Sequence, residues 1–278
     1  MPREDRYLLR MMRFNRFLSS PRLRAELIRR TGRRMSVRTI TRRLLEAGYH
    51  SRRPTRSPRL TIDHRRRRRQ WARRHRERDL RHWRHGVFTD ESRFKLHCTE
   101  GWIRVRRREG ERHIDVCVQH TDGNVGPSIM VWGGFHFGGK SELIIVDGNM
   151  NQQVYRRVLQ QNLLPWARGT FQNNFVLVQD NAPPHKARAT MTFLENQDVE
   201  VMDWLAKSPD MNPIEHLWDQ MAVYIRDMDN PPTTLHQLLD ALLAAWDALR
   251  PERLRSLVRS MLRRARALLA AHGGHTRY

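Results

Sequence analysis

The chain has 278 residues, with 52 lysines and arginines against 29 aspartates and glutamates, which gives a net charge of +23. This length suffices for a buried core, and a hydrophobic content of 39% excludes wholesale disorder. A mean hydropathy of −0.75, a charged N-terminus and the lack of a long apolar run predict a protein without a membrane segment. The two cysteines, Cys98 and Cys117, cannot form a disulfide framework or a zinc site alone, and we expect reduced thiols in an intracellular protein.

The positive charge is concentrated in the first third of the chain. Residues 1–85 carry a net charge of +22, whereas residues 86–278 carry only +1. Such an uneven distribution indicates a module that binds a polyanion, joined to a nearly neutral globular domain. Nucleic acid and an acidic membrane surface are the candidate partners at this stage.

The first 50 residues have the pattern of three short helices. Apolar side chains recur at helical spacing over 3–17, and Ser20-Pro21 has the composition of a helix start. Ser36 is placed to begin the third helix, and Gly48 is placed to end it. Three short helices with a turn before the last predict a helix-turn-helix domain over 1–50.

The third of these helices would present a polar and cationic face to DNA. Arginine suits guanine edges and phosphates, and threonine contacts either. The alternative is an ordinary three-helix bundle with a solvated basic face, but the charge of this region favours DNA binding. The candidate DNA contacts on this helix are Arg38, Thr39, Arg42 and Arg43.

Residues 51–85 are predicted to form a basic linker followed by a basic helix. The stretch 51–61 contains two prolines and several arginines, as expected of an extended arm along a groove or a phosphate backbone. The run Arg65–Arg69 has the composition of a nuclear import signal, and equally of a helix side that faces phosphates. The candidate DNA contacts in the arm are Arg52, Arg53 and Arg56.

From residue 86 onward the pattern changes to strands and helices. Apolar runs predict five strands, at 86–94, 127–135, 142–148, 174–180 and 199–204. Helical patterns occupy 151–167, 185–196, 212–227, 233–249 and 252–271. Early strands followed by alternating helix and strand predict an α/β domain with a mixed sheet over 86–278. The polar, arginine-rich residues 98–126 are too many for a hairpin turn, and we expect an inserted loop.

Three carboxylates lie where this arrangement would bring them together. Asp90 lies within the first strand, Asp180 ends the fourth strand, and Glu215 lies in the first turn of the helix after the fifth. Clustered carboxylates repel one another, and hard oxygen donors select Mg²⁺ or Mn²⁺. Two such ions would activate a water or hydroxyl on one side of a phosphodiester and stabilise the leaving oxygen on the other.

Each of these acids also has a structural interpretation. Asp90 caps a strand end in that view, and Asp180 begins a turn. Glu215 completes a capping box with Asn212. Asp219, one turn further along the same helix, is an equally placed carboxylate, and spacing alone does not reject it.

Several long motifs carry a resemblance to a known family: FTDESRF, SIMVWGGF, VQDNAPPH, SPDMNPIEHLW and GGHTRY. With these motifs, the chain from about residue 3 to 278 resembles transposases of the mariner superfamily, specifically its Tc branch, and 34 residues separate Asp180 from Glu215 as in that branch. The resemblance implies a ribonuclease H-like catalytic domain after a small all-α helix-turn-helix domain. It also implies that Asp90, Asp180 and Glu215 are the catalytic and metal-binding residues, holding two Mg²⁺ or Mn²⁺ ions.

The same resemblance implies an activity and its partners. Family members excise and integrate a transposable element by cut-and-paste, through phosphodiester hydrolysis and strand transfer. They bind terminal inverted repeats of double-stranded DNA and insert at TA dinucleotides, and a nuclear location follows. The loop at 98–126 corresponds to one that clamps a partner subunit, which implies a homodimer on DNA. His185 is expected to be a structural or supporting residue outside the catalytic set.

One departure from the family pattern keeps a second function open. Relatives carry a further helix-turn-helix unit before the one seen here, and Met1 begins almost at the second unit. An internal start, a decayed element or a shortened derivative would each explain this. The alternative function is therefore a truncated or domesticated, non-catalytic DNA-binding relative that acts as a regulator. A nuclease for RNA–DNA hybrids is disfavoured by the helix-turn-helix pattern.

Overall fold

The computed structural model describes residues 3–52, 54–96, 104–119 and 127–278. The helices in this part of the chain are α1 Arg3–Phe14, α2 Ser20–Thr31, α3 Val37–Glu46, α4 Ile62–His75, α5 Leu80–Arg84, α6 Gln152–Val158, α7 Leu164–Phe171, α8 Pro183–Lys186, α9 Arg188–Asn196, α10 Glu215–Arg226, α11 Leu235–Asp247, α12 Pro251–Arg259 and α13 Met261–Ala270. The strands are β1 His50–Arg52, β2 Thr55–Arg56, β3 Gly86–Lys95, β4 Val105–Arg107, β5 Val118–Gln119, β6 Ser128–Phe135, β7 Ile144–Val146, β8 Val176–Val178 and β9 Glu200–Val201. None of the described helices is long and apolar enough to span a membrane.

The chain forms two compact units, and each contains residues from separate parts of the sequence. One unit comprises Met1–Pro58 with Thr99–Gly123, and the other comprises Arg59–Cys98 with Asn124–Tyr278. This division differs from the boundaries expected at residues 50 and 85, because α4 packs within the second unit through Trp71 and Ala72. Cys98 lies outside the described residues, and Cys117 is a buried free thiol.

The first unit contains the expected three-helix arrangement. Leu8 of α1, Leu23 and Leu27 of α2 and Leu44 of α3 are buried in one cluster. The turn between α2 and α3 starts at Gly32, whose φ of +68° is in the left-handed region that favours glycine. The helix-turn-helix prediction is therefore confirmed.

Part of the inserted loop completes this first unit. β4 pairs antiparallel with β1, and β5 pairs parallel with β2. Arg16 binds Glu111 at 3.0 Å, with both side chains largely buried. The ring of Tyr49 lies 4.6 Å from the guanidinium of Arg16 and 4.5 Å from that of Arg108. The loop is therefore built into the core of this unit.

The second unit is built on a mixed five-stranded sheet, as the sequence predicts. The strand order is β7-β6-β3-β8-β9. β3 pairs parallel with β8 and antiparallel with β6, so it is the strand at which the direction of pairing changes. Helices cover both faces, because alternate residues of β3 enter different clusters: Phe88 and Phe94 pack beneath α10 and α11, whereas Val87 packs beneath α6 and α7.

Two helices differ from the sequence prediction. The helix expected over 151–167 continues to residue 171 and contains a π-helical turn at Leu159–Leu163. Pro165, which follows this turn, has no N–H to donate and disturbs the regular hydrogen bonding of the helix. The helix expected over 252–271 is divided at Ser260, whose hydroxyl donates to the carbonyl of Leu257 at 2.6 Å.

A buried ion pair joins the start of the second unit to its C-terminal end. The guanidinium of Arg68, 1% exposed, donates two hydrogen bonds to the carboxylate of Asp210, at 2.8 and 2.6 Å. It also donates to the carbonyl oxygens of Gly273 and Gly274, each at 2.9 Å. Burial acts to raise the pKa of Asp210, but the hydrogen bond and charge of Arg68 outweigh it and lower the pKa.

Gly273 is required for this arrangement. Its φ is +83°, and a Cβ at this position would lie 2.1 Å from the carbonyl oxygen of Arg65. Thr276 continues the contact by donating from its backbone N–H and its hydroxyl to Asp210, at 3.1 and 3.0 Å. The motif GGHTRY is therefore a structural anchor that binds α4 and the segment before α10.

We expect Arg68→Met to destabilise the protein by about 3–5 kcal/mol, because it leaves a buried carboxylate without its cation. The matched control is Arg66→Met on the same helix, where only an exposed pair with Asp63 is lost, and we expect little or no destabilisation because solvent screens such pairs. Arg68→Met combined with Asp210→Asn removes both charges, and we expect it to be more stable than Arg68→Met alone. The free energy of unfolding in urea checks this, and equal values for the Arg66 and Arg68 variants would contradict it.

Candidate active site

Asp90 lies near the middle of β3, opposite Gly133 of β6. The space above this glycine is filled by two stacked indoles, Trp218 of α10 and Trp246 of α11, with ring centroids 5.3 Å apart. A Cβ on Gly133 would lie 2.9 Å from Trp246 and 3.0 Å from Trp218. The glycine thus lets α10 approach the sheet beside Asp90.

Glu215 is the first residue of α10, and the turn before it is tied to β3. The side-chain amide of Asn212 donates to the carbonyl oxygen of Thr89 at 3.2 Å. The capping box that Asn212 and Glu215 would form is absent: α10 has no side-chain cap, and Asn212 accepts instead from the N–H of Ile214 at 3.4 Å. Glu215 therefore lies close enough to Asp90 for its charge to raise the pKa of that carboxyl.

Both carboxyls have raised pKa values, for partly different reasons. Burial raises the pKa of Asp90 well above its usual value, and the charges of Glu215, Glu91 and Asp180 raise it further. Burial also raises the pKa of Glu215 to about 7, with the charges of Asp219 and Asp180 contributing, whereas Arg264 and Asp90 act to lower it. The cluster is therefore short of positive charge, which is the condition that favours binding of a cation.

Asp180 lies two residues beyond the end of β8 and has different partners. Its carboxylate accepts a hydrogen bond from the N–H of Ala182 at 2.8 Å and lies 2.6 Å from Nδ1 of His185. Burial acts to raise the pKa of Asp180, but the hydrogen bond and charge of His185 outweigh it and lower the pKa. Asp180 is thus an ionised carboxylate, half-exposed at the end of the strand.

His185 connects Asp180 to a fourth acid that the sequence analysis missed. Its Nε2 atom lies 3.4 Å from Oε1 of Glu91, and its ring lies 4.0 Å from the ring of Tyr155. Burial acts to lower the pKa of His185, yet the bonds to Asp180 and Glu91 raise it to about 10. Tyr155 in turn donates to the side-chain oxygen of Gln179 at 2.5 Å. The imidazolium is therefore the local counter-charge on this side of the sheet.

The signal for Glu91 was present in the sequence. Neighbouring residues of a strand point to opposite faces of the sheet, so Asp90 and Glu91 contribute to different sides of the site. Asp90 shares the face covered by α10, and Glu91 shares the face covered by α6. An acid directly after a candidate catalytic acid in a buried strand is therefore itself a candidate site residue, on the opposite face of the sheet.

The donor chemistry of the cluster fits a hard divalent cation. Oxygen atoms from Asp90, Asp180 and Glu215 are the kind of ligand that Mg²⁺ and Mn²⁺ prefer. Their mutual repulsion, seen in the raised pKa values of Asp90 and Glu215, would be relieved by a cation. Within the described residues, no three His, Cys, Asp or Glu side chains already surround one point, because Asp180 is turned toward His185.

The candidate DNA contacts are placed as follows. Arg38 and Arg42 are exposed on α3, and Arg42 lies 3.7 Å from Glu46. Thr39 is partly buried at the first turn, where its N–H donates to the Ser36 hydroxyl at 3.0 Å. Three further candidates differ from one another: Arg52 is exposed in β1, Arg56 belongs to β2, and Arg53 lies outside the described residues.

Arg43 is less available than the other arginines of α3. Its guanidinium lies 3.7 Å from Asp5 and 3.4 Å from Glu46, and its side chain is 38% exposed. The sequence analysis grouped Arg43 with Arg38 and Arg42. In the structure, Asp5 and Glu46 of the same unit both attract its guanidinium. This places Arg38 and Arg42 first among the described candidates for contact with a phosphate.

Known protein families match both units. A model described as DDE superfamily endonuclease matches residues 85–238, and a transposase model matches residues 5–77. The chain is 35% identical over 243 residues to the transposable element Tcb2 transposase of Caenorhabditis briggsae, covering 87% of this chain and 88% of that protein. It is 32% identical over 245 residues to the Tc1 transposase of Caenorhabditis elegans, with the same coverage of 87% and 88%.

Solved structures show the same fold. The chain is similar to the Mos1 transposase paired-end complex with left transposon end, with a TM-score of 0.69 at 18% identity, over 99% of this chain and 81% of that one. The catalytic domain of Mos1 mariner transposase gives a TM-score of 0.58 at 19% identity, over 79% of this chain and 98% of that domain. With the DDE endonuclease match over more than half of its length and relatives above 30% identity, the chain belongs to the Tc1/mariner family of DDE transposases.

Proposed function

We propose that this transposase cuts and rejoins DNA at the acidic cluster of Asp90, Asp180 and Glu215. The observation that carries the proposal is the position of Asp90 in the central strand and of Glu215 at the start of α10, which is tied to that strand by Asn212. Burial and the charges of neighbouring acids raise the pKa of both carboxyls. Asp180 lies near enough to contribute to both shifts. Clustered negative charge of this kind is stabilised when the site binds cations. The family relationship supports cut-and-paste excision and integration of a transposable element as the reaction.

The three acids would hold two Mg²⁺ or Mn²⁺ ions, and Asp219 has no part in the set. When bound there, such ions would supply an activated water or 3′-hydroxyl on one side of the phosphodiester and would stabilise the leaving oxygen on the other. Asp90 is central, because both Glu215 and Asp180 raise its pKa. Asp219 is exposed and lies one turn beyond Glu215 on α10, where its charge helps to raise the pKa of Glu215.

The residues around the acids fix their positions. Asn212 holds the start of α10 against β3, so Glu215 keeps its place beside Asp90. His185 and the N–H of Ala182 orient Asp180. His185 is a positioning residue in this proposal, since its partner Glu91 and the packing of its ring against Tyr155 leave it little freedom.

The biological setting follows from the same relationship. The helix-turn-helix unit would bind the terminal inverted repeats of the element, with Arg38 and Arg42 facing the duplex. We propose TA dinucleotides as target sites, a homodimer as the active species on DNA, and the nucleus as the location. The two named relatives of nematode origin are both transposases of transposable elements, which supports these assignments.

We expect Asp180→Asn to reduce strand cleavage by about 10³-fold, because the neutral amide removes several kcal/mol of charge stabilisation from the transition state. The measurement is the rate of nicking of a labelled duplex that carries the terminal inverted repeat, in Mg²⁺. Asp219→Asn is the matched control, and we expect cleavage within a few fold of the unsubstituted protein. Binding of the duplex without divalent ions should be unchanged in both variants.

Two results would contradict this proposal. Undiminished cleavage by the Asp180 variant would remove Asp180 from the catalytic set. Equal losses of cleavage in the Asp180 and Asp219 variants would show that the overall charge of the region is important, and not a defined triad. If the unsubstituted protein binds the repeat and does not cut it in Mg²⁺ or Mn²⁺, the protein is a non-catalytic regulator instead.

We expect Arg38→Gln with Arg42→Gln to make the salt dependence of DNA binding less steep. Each phosphate contact contributes a slope of about −0.9 to log K against log salt, so the loss of two contacts changes the slope by about 1.8. The control variant, Arg29→Gln with Arg30→Gln, removes two arginines of α2 that lie beside Glu26. Titrations at several salt concentrations measure both slopes, and identical changes would contradict the assignment of α3 as the contacting helix.

A further inference from the structure

An open groove of about 690 Å³ lies between α6 and α9, outside the acidic cluster. Its lining includes the first residue of each helix, Gln152 and Arg188, and it continues along both helices past Arg156 and Thr192. Of the lining residues in the described part of the chain, two are arginines and none is an acid. The groove therefore has a net positive charge.

The two arginines of this groove have unused hydrogen-bonding capacity. The Nε atom of Arg156 is buried and makes no hydrogen bond with any described residue. The Arg156 guanidinium lies 5.7 Å from the ring of Phe193, which holds its plane against α9. Arg188 is exposed, and the described residues offer it no carboxylate partner. A buried guanidinium donor without an acceptor is costly, and an anion is the natural acceptor.

The N-terminal end of α9 adds to the same preference. α9 begins at Arg188 after Ala187, and it has no side-chain cap for the N–H groups of its first turn. α6 differs, because the side chain of Asn151 accepts from the N–H groups of Gln153 and Val154. Helix N-termini carry partial positive charge and free N–H groups, and both favour an anion.

The groove is coupled in space to the acidic cluster. The ring of Tyr155, next to Arg156 on α6, contacts the ring of His185, which in turn contacts Asp180. α9 begins eight residues after Asp180, so no more than about 29 Å of chain separates the two. The groove and the cluster are therefore close enough to contact the same DNA duplex.

We propose that the groove between α6 and α9 binds a backbone phosphate of DNA through Arg156 and Arg188. This site rests on the proposed function, and it goes beyond that function because it assigns a DNA contact on the catalytic unit to residues outside the acidic cluster and the helix-turn-helix. The groove is shallow and polar, with Thr192 and Asn196 as further hydrogen-bonding groups, which suits an extended backbone better than an enclosed ligand.

The test is a pair of substitutions at Thr192 that differ only in charge. Thr192 is exposed on α9, so neither Thr192→Glu nor Thr192→Gln disturbs the core. We expect Thr192→Glu to weaken binding of an inverted-repeat duplex and to make the slope of log K against log salt less steep by about 0.9, the value for one phosphate contact. Thr192→Gln should leave both quantities unchanged. Gln160→Glu, which adds the same charge at an exposed position of the π-helical turn, is the control for a general effect of charge.

Arg188→Gln provides a second, independent variant in the same full-length protein. It should reproduce the effect of Thr192→Glu, and the two effects should not add, because they remove the same contact. Equal binding by the Glu and Gln variants of Thr192 on both an inverted-repeat duplex and an unrelated duplex, or equal losses in Thr192→Glu and Gln160→Glu, would overturn the site.

Two activity measurements identify which DNA supplies the phosphate. Loss of both cleavage and joining assigns the groove to the end of the element, whereas loss of joining alone, with a precut end, assigns it to target DNA. Binding is measured without divalent ions, so it remains a test of the groove even if the unsubstituted protein does not cleave DNA. Failure of the groove and failure of the proposed catalysis are thus separate results.

Discussion

The ion pair between Arg68 and Asp210 is the contact on which the geometry of the second unit depends. It joins α4, the segment before α10 and the C-terminal residues through hydrogen bonds that are buried from water. Arg264 adds a hydrogen bond from its guanidinium to the backbone carbonyl of Asp210 at 2.6 Å. Glu215 lies five residues beyond Asp210, so the start of α10 is fixed by residues from the beginning and from the end of the second unit. The position of a catalytic acid is thus determined by contacts that have no part in the chemistry.

The acidic cluster shows how a sheet separates two electrostatic environments. On one face lie Asp90 and Glu215, and burial together with the charges of neighbouring acids raises the pKa of both. On the other face, Glu91 and Asp180 share the imidazolium of His185, and the pKa of Asp180 is lowered. A single strand position separates Asp90 from Glu91. The negative charge of Glu91 and Asp180 is therefore compensated by the imidazolium, whereas the charge of Asp90 and Glu215 requires a bound cation.

Much of the fold follows from the sequence because its signals are local. Ser36 caps α3 as predicted, and the apolar run around Asp90 forms the central strand β3. The contacts that sequence analysis missed are distant in the chain or depend on packing. The Glu215 capping box fails because Asn212 binds β3 instead, a partner 123 residues away. The role of Glu91 could be seen only when α6 brought Tyr155 and His185 to the same face.

The loop inserted after β3 gives the first unit an unusual order of assembly. Arg16 and Glu111 are 95 residues apart in sequence, and β4 supplies the antiparallel partner of β1. Such pairings must wait until the chain beyond β3 has been synthesised, although α1, α2 and α3 leave the ribosome first. Contacts between distant residues also slow folding, because closing a long loop costs conformational entropy before any contact compensates for it. A polypeptide released before residue 104 would carry the helices of the DNA-binding unit without the cover that Arg108 provides for Tyr49.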